Sequence, residues 1–326
     1  MNEFGINKEL QSLQDEIKRG FDSPPPPEVQ KKRPKIKTVK EKTAQSDFWQ
    51  QDTSWLFSWI GTILFLTLWN AIFLNKPAFK QIATGFINTV IISLQVILFS
   101  LVLAWGVSLL LNHLSANKKQ SLQFMVTFFL NLIRSIPQIV GILFGYIWIT
   151  SLSGTNGSLG NFLSFTLIAI IISLFIFIEL ADLMLERIQH FKKLDFYDAM
   201  RVCGIKESRI INFHILWKNS RIHILNKLIS IFGMAIFLQC SVSFIISVGL
   251  SMEIDLVSLP NTLGTLLAKI DSKQDILAIG YAITHPGYIP QLFFKHLQGI
   301  TVSFLLVFTL LSIYKIAGGF AKRYKL

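Results

Sequence analysis

Residues 162–185 read Phe-Leu-Ser-Phe-Thr-Leu-Ile-Ala-Ile-Ile-Ile-Ser-Leu-Phe-Ile-Phe-Ile-Glu-Leu-Ala-Asp-Leu-Met-Leu. A helix that crosses a bilayer needs about 20 largely apolar residues, and a helix in a soluble core rarely sustains such a run. Five further runs occur: Trp55–Leu74, Ala83–Leu111, Leu122–Thr150, Ile222–Val248 and the shorter Ile300–Ile316. Ile276–Ile289 is shorter still and carries Pro286 and Gly287, so it reads as a loop or re-entrant element. Trp55–Leu74 is no cleavable signal peptide. It is too long, starts too late and lacks a small-residue cleavage site. The expected fold class is therefore an all-α integral membrane protein with six transmembrane helices.

Composition agrees. The 326 residues are 52% hydrophobic and only 15% charged, against about 25% charged in soluble domains. That deficit argues against a soluble enzyme, and 28 Phe with 7 Trp suit a lipid-facing chain. Cys203 and Cys240 lack metal spacing and are too few for a disulfide framework. They read as inert side chains. His214 has no second His four residues away, so it does not suggest a metal site.

Orientation follows from Lys and Arg in the connections. The tail before the first span holds 10 of the 31, the loop 75–82 two, and the loop 112–121 Lys118 and Lys119. The loop 151–161 has none, segment 186–221 has eight, and 249–299 has three, balanced by four acidic residues. Lys322, Arg323 and Lys325 close the chain. Six spans with both termini cytoplasmic put each basic segment inside.

Residues 1–54 form a basic, largely disordered tail. Residues 1–22 offer a weak amphipathic helix through Phe4, Ile6, Leu10, Leu13 and Ile17. Pro24–Pro27 form a stiff spacer, and Lys31–Lys42 carries seven basic residues. Such a tail is held near anionic lipid headgroups, at about 1 kcal/mol per basic residue. Nucleic-acid binding is not expected, because aromatic residues do not interleave with the charges.

Ionisable residues inside spans are functional candidates. Arg134 precedes Pro137 in a run of 29 residues, about 43 Å as helix, so Arg134 reads as an anchor at the inner boundary. Pro137 is expected to kink the helix or start a new one. Glu179 and Asp182 share a helix face near the inner end of their span. They read as structural ion-pair partners, with Lys192 and Lys193 close by in sequence. Ser230, Ser241 and Ser243 are candidates for a polar translocation path, although small polar side chains also mediate helix packing.

Segment 186–221 is too polar to span and too patterned to be an irregular loop. Phe196, Ala199, Met200 and Cys203 recur at helical spacing. Gly204 ends that helix, and Ser208 is placed to cap a second over 209–217, with apolar Ile210, Ile211, Phe213 and Leu216. Two short helices with a glycine corner make a surface knob suited to a groove on a soluble partner.

Asp198-Ala199-Met200, followed by Gly204 and by Ile215-Leu216, resembles the EAA motif of ABC importer membrane subunits. Asp198 and Met200 stand where the motif has Glu and Ala. Its closing Ile-x-Leu-Pro reads His214-Ile215-Leu216-Trp217, with only the Leu in place. Leu132–Ile139 resembles the Arg-x-x-Pro segment of many such permeases. The resemblance covers about residues 80–320, leaving residues 1–54 and a first span, 55–74, as additions. Leu194-Asp195-Phe196, His214-Ile215-Leu216 and Asn219 resemble the peptide and nickel permeases, while the Arg-Ser-Ile-Pro run is similar to phosphonate-type permeases.

The resemblance implies a type I importer fold in a bacterial cytoplasmic (inner) membrane, with Asp198, Ala199, Met200, Gly204, Ile215 and Leu216 coupling to a separate ATPase. It implies three protein partners: ABC ATPase subunits, a second permease chain, identical or related, and an extracytoplasmic substrate-binding protein. The substrate it implies is peptide-like. No Gly-x-x-x-x-Gly-Lys-Ser/Thr loop occurs, so the chain is expected to be a transporter subunit without enzymatic activity or cofactor of its own. Two other classes stay open: a secondary transporter driven by an ion gradient, and a membrane scaffold or degenerate permease.

Overall fold

The computed structural model describes residues 41–116, 120–155, 161–249, 261–268 and 270–324. The chain divides into two compact units, Met1–Ala44 and Gln45–Leu326. Of the first unit only residues 41–44 are described, as helix, so the expected helix of residues 1–22, the proline spacer and the basic run up to Lys40 lie outside the described residues.

Every regular element among the described residues is helical. The long helices are α1 (Glu41–Phe73), α2 (Lys76–Ala116), α3 (Gln120–Ser135), α4 (Gln138–Thr155) and α5 (Asn161–Lys192). After α5 come α6 (Asp195–Val202), the one-turn α7 (Glu207–Arg209) and a π-helix, Ile210–Asn219, that leads into α8 (Arg221–Gly249). The chain closes with α9 (Leu263–Ala268), α10 (Ile270–Thr284), a 3-10 turn (Pro286–Tyr288), α11 (Ile289–Lys295) and α12 (Leu297–Arg323). Five helices are long and apolar enough to cross a membrane, and six if the bent pair α3–α4 counts as one span. The fold is that of an all-α chain compatible with a multi-pass membrane protein.

Three expected boundaries move. Residues 75–82 are not a loop, because α2 begins at Lys76 and runs for 41 residues, about 60 Å. The run Leu122–Thr150 is not one continuous helix. Its two halves meet at 92°. Pro137 has no N–H to give and disfavours helical geometry at Ile136. The N–H of Ile136 therefore closes a short turn on Ile133 O at 3.3 Å, and Gly141 N–H starts α4 on Pro137 O at 3.1 Å. Within Ile276–Ile289 the chain is not an open loop, since residues 276–284 belong to the 15-residue helix α10.

In lipid, apolar side chains gain little by leaving their solvent, so helices associate through close packing. The buried stripe of α2 shows how. Gly85, Thr89, Ser93, Ser100, Ala104 and Ser108 recur in steps of four or seven, and α2 makes its broadest contact with α5. The Ser108 hydroxyl donates across to Ala181 O at 3.2 Å. A second small pair, Gly141 and Gly145, sets α4 against α5. A Cβ at Gly145 would stand 2.4 Å from Ile171 Cγ2, and one at Gly141 2.2 Å from the Phe175 ring. Ile92, Val96, Ile142, Ile172, Ile176 and Leu180 fill the resulting core at zero exposure.

The short α9 is tucked between α2 and α8. The Leu263 N–H donates to Thr89 Oγ1 at 3.0 Å, and Asn88 Nδ2 donates to Asn261 O at 2.8 Å. Gly264 lies so close to α8 that an added Cβ would stand 2.4 Å from Cys240 O. By contrast α1 is peripheral. Only 6% of its span is buried, and two side-chain bonds tie it to α12: Trp59 Nε1 to Thr309 Oγ1, and Thr301 Oγ1 to Asn70 Oδ1, both 3.1 Å.

Two outcomes follow from these close approaches. Gly145→Leu should destabilise the chain by about 1–3 kcal/mol through overpacking, read as a lower thermal midpoint in detergent. Gly106→Leu, where an added Cβ meets nothing within 4 Å, should leave that midpoint nearly unchanged. Cys240 is 3% exposed and should resist a maleimide in the native protein. Gly264→Val should lift α9 away and make Cys240 react.

Candidate functional site

Segment 186–221 begins as the last turns of α5 and reverses through two short backbone bonds, Lys193 N–H to His190 O and Leu194 N–H to Phe191 O. Helix α6 then starts without a side-chain cap, but Asp195 and Asp198 stand in its first turn and Arg201 in its last. Both placements complement the helix dipole. Its end is a Schellman turn. Ile205 N–H reaches Met200 O at 3.2 Å, and Gly204 N–H reaches Arg201 O at 2.9 Å. That turn requires a left-handed residue at Gly204, whose φ is +77°. Met200 and Ile205 close it with apolar contact to the core.

The helical face read from the spacing of Phe196, Ala199, Met200 and Cys203 is mostly an outer one. Phe196, Ala199 and Cys203 are exposed, and Tyr197 is the residue α6 turns inward. The reason is a polar staple. The Tyr197 hydroxyl bonds the Glu207 carboxylate, and Lys192 Nζ donates to Glu207 Oε1 at 2.8 Å. Lys192 and Arg201 also lie over the Tyr197 ring, at 5.6 and 5.9 Å from its centroid. Three elements, α5, α6 and α7, are thereby joined through one carboxylate.

Expectations for the second helix also change. Ser208 is not its cap, because the N-terminal flank is Lys206 with no side-chain bond. In place of an α-helix over 209–217 the chain forms ten residues of π-helix. Ile210 and Ile215, and Ile211 and Leu216, are each five apart and all buried, the spacing a π-helix brings onto one face. Asn212 Oδ1 accepts from Trp105 Nε1 at 2.9 Å, which ties this element to α2. Ile215 and Leu216 therefore anchor the knob and do not form its outer surface. Outside it presents Leu194, Phe196, Val202, Phe213 and Trp217, with Val202 88% exposed, among exposed Lys193, Lys206, Arg209 and Lys218. Asp198, Ala199 and Gly204 are exposed there too, and Met200 is half-buried.

The intramembrane candidates separate. Asp182 pairs with Arg134 of α3, and Glu179 with Lys227 of α8 at 2.6 Å. Neither partner is Lys192 or Lys193, because α3 and α8 pack against that face of α5 and Lys192 is taken by Glu207. Ser243 is buried beside Tyr146 of α4. Ser241 is half-buried, and Ser230 is exposed with its hydroxyl folded onto Asn226 O. One helix thus carries the three serines in three different settings. Gln239, one turn before Ser243, is fully buried with neither amide atom hydrogen-bonded among the described residues.

The staple was not expected from the sequence. Its only local trace is Tyr197 four residues before Arg201, one face of a helix. The carboxylate that completes it comes from beyond the glycine corner. Scanned against protein-family models the chain matches none, and no curated protein matches it.

The staple has a pH signature. Hydrogen bonding from Lys192 chiefly holds Glu207 below the usual carboxylate range. Burial, then the bond to Glu207, pushes Tyr197 from about 10 up to about 12. Glu207 thus contributes stability above the ordinary glutamate value that is lost as pH falls through its lower folded value. Tyr197 contributes stability fully present below pH 10 and lost as pH rises through about 12. Tyrosinate absorbance of the native protein minus that of Tyr197→Phe should therefore titrate near 12, and a difference that titrates near 10 would mean the hydroxyl is not held.

Proposed function

We propose that this chain is the membrane-spanning permease subunit of an ATP-driven ABC importer in a bacterial cytoplasmic membrane, with both termini inside. It forms half of a translocation path and receives its energy from separate ATPase subunits. The observation that carries this reading is the knob around Asp198–Gly204. It is a rigid two-element protrusion with an exposed apolar and basic surface, and its sequence resembles the EAA motif.

The geometry supports coupling in a specific way. The knob is stapled to the end of α5 through Lys192 and Glu207 and continues through the π-helix into α8. Those two helices are the most deeply packed spans, half buried in their apolar windows. A displacement of the knob therefore acts on the centre of the bundle rather than on its edge. When ATP closes a pair of ATPase subunits, the groove that holds the knob moves, and α5 and α8 turn with it. The path then opens outward to a substrate-binding protein, and hydrolysis restores the inward state. A second permease chain, identical or related, completes the path. Resemblance around Leu194-Asp195-Phe196 and His214-Ile215-Leu216 favours a peptide-like substrate.

The test is recovery of the tagged chain from its native membrane in mild detergent, with co-purifying proteins identified by mass spectrometry. An ATPase subunit and a second permease are expected. A chain that comes down alone after cross-linking would sink the reading and leave an ion-driven carrier or a scaffold. Gly204→Arg adds bulk and charge at the knob's corner and strains a left-handed backbone position by about 1–2 kcal/mol. It should insert normally yet lose the ATPase and transport, and wild-type transport in that variant would remove the coupling role.

A further inference from the structure

A cleft of about 290 Å³ lies between the ends of α2 and α5 and the flank of α3. Helix α3 is amphipathic in the sense opposite to a soluble surface helix. Phe124, Met125, Phe128, Phe129 and Leu132 are exposed, whereas Gln123, Thr127 and Arg134 line the cleft. At 3.6 residues per turn the two sets fall on opposite sides of the helix. A helix on a soluble protein would turn its aromatic face to the core. Here that face turns outward, as it would towards acyl chains, and the polar face closes a small chamber against the bundle.

Arg134, Lys192 and Asp182 line the chamber, and each keeps unused hydrogen-bonding capacity. Asp182 engages Arg134 through one oxygen, which leaves the other. Arg134 uses one nitrogen for Asp182 and another for Asn131 Oδ1 out of five N–H donors. Lys192 gives one of three donors to Glu207. Gln123 and Gln189 add amides, and Leu185 and Ile188 supply apolar wall. The volume suits a headgroup and not a whole lipid. The cleft lies at the end of the bundle that carries the basic segment 186–221, where cationic side chains reach phosphate level.

We propose that this cleft binds the headgroup of a phospholipid bearing a primary amine, with its phosphate at Arg134 and Lys192 and its ammonium at Asp182. The carboxylate disfavours a purely anionic headgroup. A quaternary ammonium has no N–H to donate to Asp182, so a choline headgroup leaves that oxygen unpaired. This inference stands apart from the transport reading, because it uses only the cleft.

The test is native mass spectrometry of the delipidated full-length protein in detergent with equimolar phosphatidylethanolamine, phosphatidylcholine and phosphatidylglycerol. A one-to-one phosphatidylethanolamine adduct is expected, favoured by roughly ten-fold over the other two, as one charge-assisted hydrogen bond allows. Asp182→Asn should erase the preference over phosphatidylcholine. Gln123→Phe fills the cleft without touching an ion pair and should remove the adduct while the thermal midpoint holds. Equal retention of the three lipids, or an adduct unchanged in both variants, overturns the proposal. Displacement of the lipid by inorganic phosphate, with a phosphate adduct in its place, would also overturn it by identifying a soluble phosphate as the ligand.

Discussion

The rest of the structure depends on how closely α2 approaches α5. At Ser108 the two helices come near enough for its hydroxyl to bond Ala181 O directly, while Gly85 and Thr89 at the other end of the same small-residue stripe admit α9. In a bilayer the hydrophobic effect does not press helices together, so contact at this separation is what holds them. The Gly141–Gly145 pair extends the same device to α4, and Gly264 extends it to α9. The small residues also explain where large ones go. Ile92 of α2, Ile142 of α4 and Ile172 and Ile176 of α5 join one core and leave no exposed surface.

The proposed coupling role of the knob rests on that tight centre. A short amphipathic pair of helices on a flexible tether would transmit nothing. Here Glu207 gathers Lys192 from α5 and Tyr197 from α6, and the π-helix sinks four aliphatic side chains into the same core. The outer surface of the knob stays apolar and basic while its inner surface is locked. Rigidity inward and exposure outward are what a docking element needs if it is to move spans rather than bend.

The ionisable residues of the spans follow a consistent rule. Glu179 with Lys227, and Asp182 with Arg134, each join two different helices. Both carboxylates lie within a single turn on one face of α5, so that face is tied to two neighbouring helices at the same level. An unpaired charge there would be expensive, which is why each is met by a cation from a neighbour. Lys192, ten residues further along α5, is taken by Glu207, and it lines the same polar cleft as Asp182 and Arg134.

What the sequence by itself determined is what depends on counting along the chain. Apolar runs located the middles of the long helices, though α2 starts seven residues before its run, because a bilayer demands length and apolarity that local composition records directly. Pro137 announced a break, and Gly204 announced a corner, because each acts through its own backbone. Tertiary structure alone decided what depends on partners distant in sequence. The angle at Pro137, the choice of Tyr197 over Phe196 as the inward residue, and the pairing of Asp182 with Arg134 all depend on which helix lies opposite. The π-helix belongs with them. Its five-residue spacing is written in Ile210, Ile211, Ile215 and Leu216, but an α-helical reading fits the same residues until a core exists to receive them.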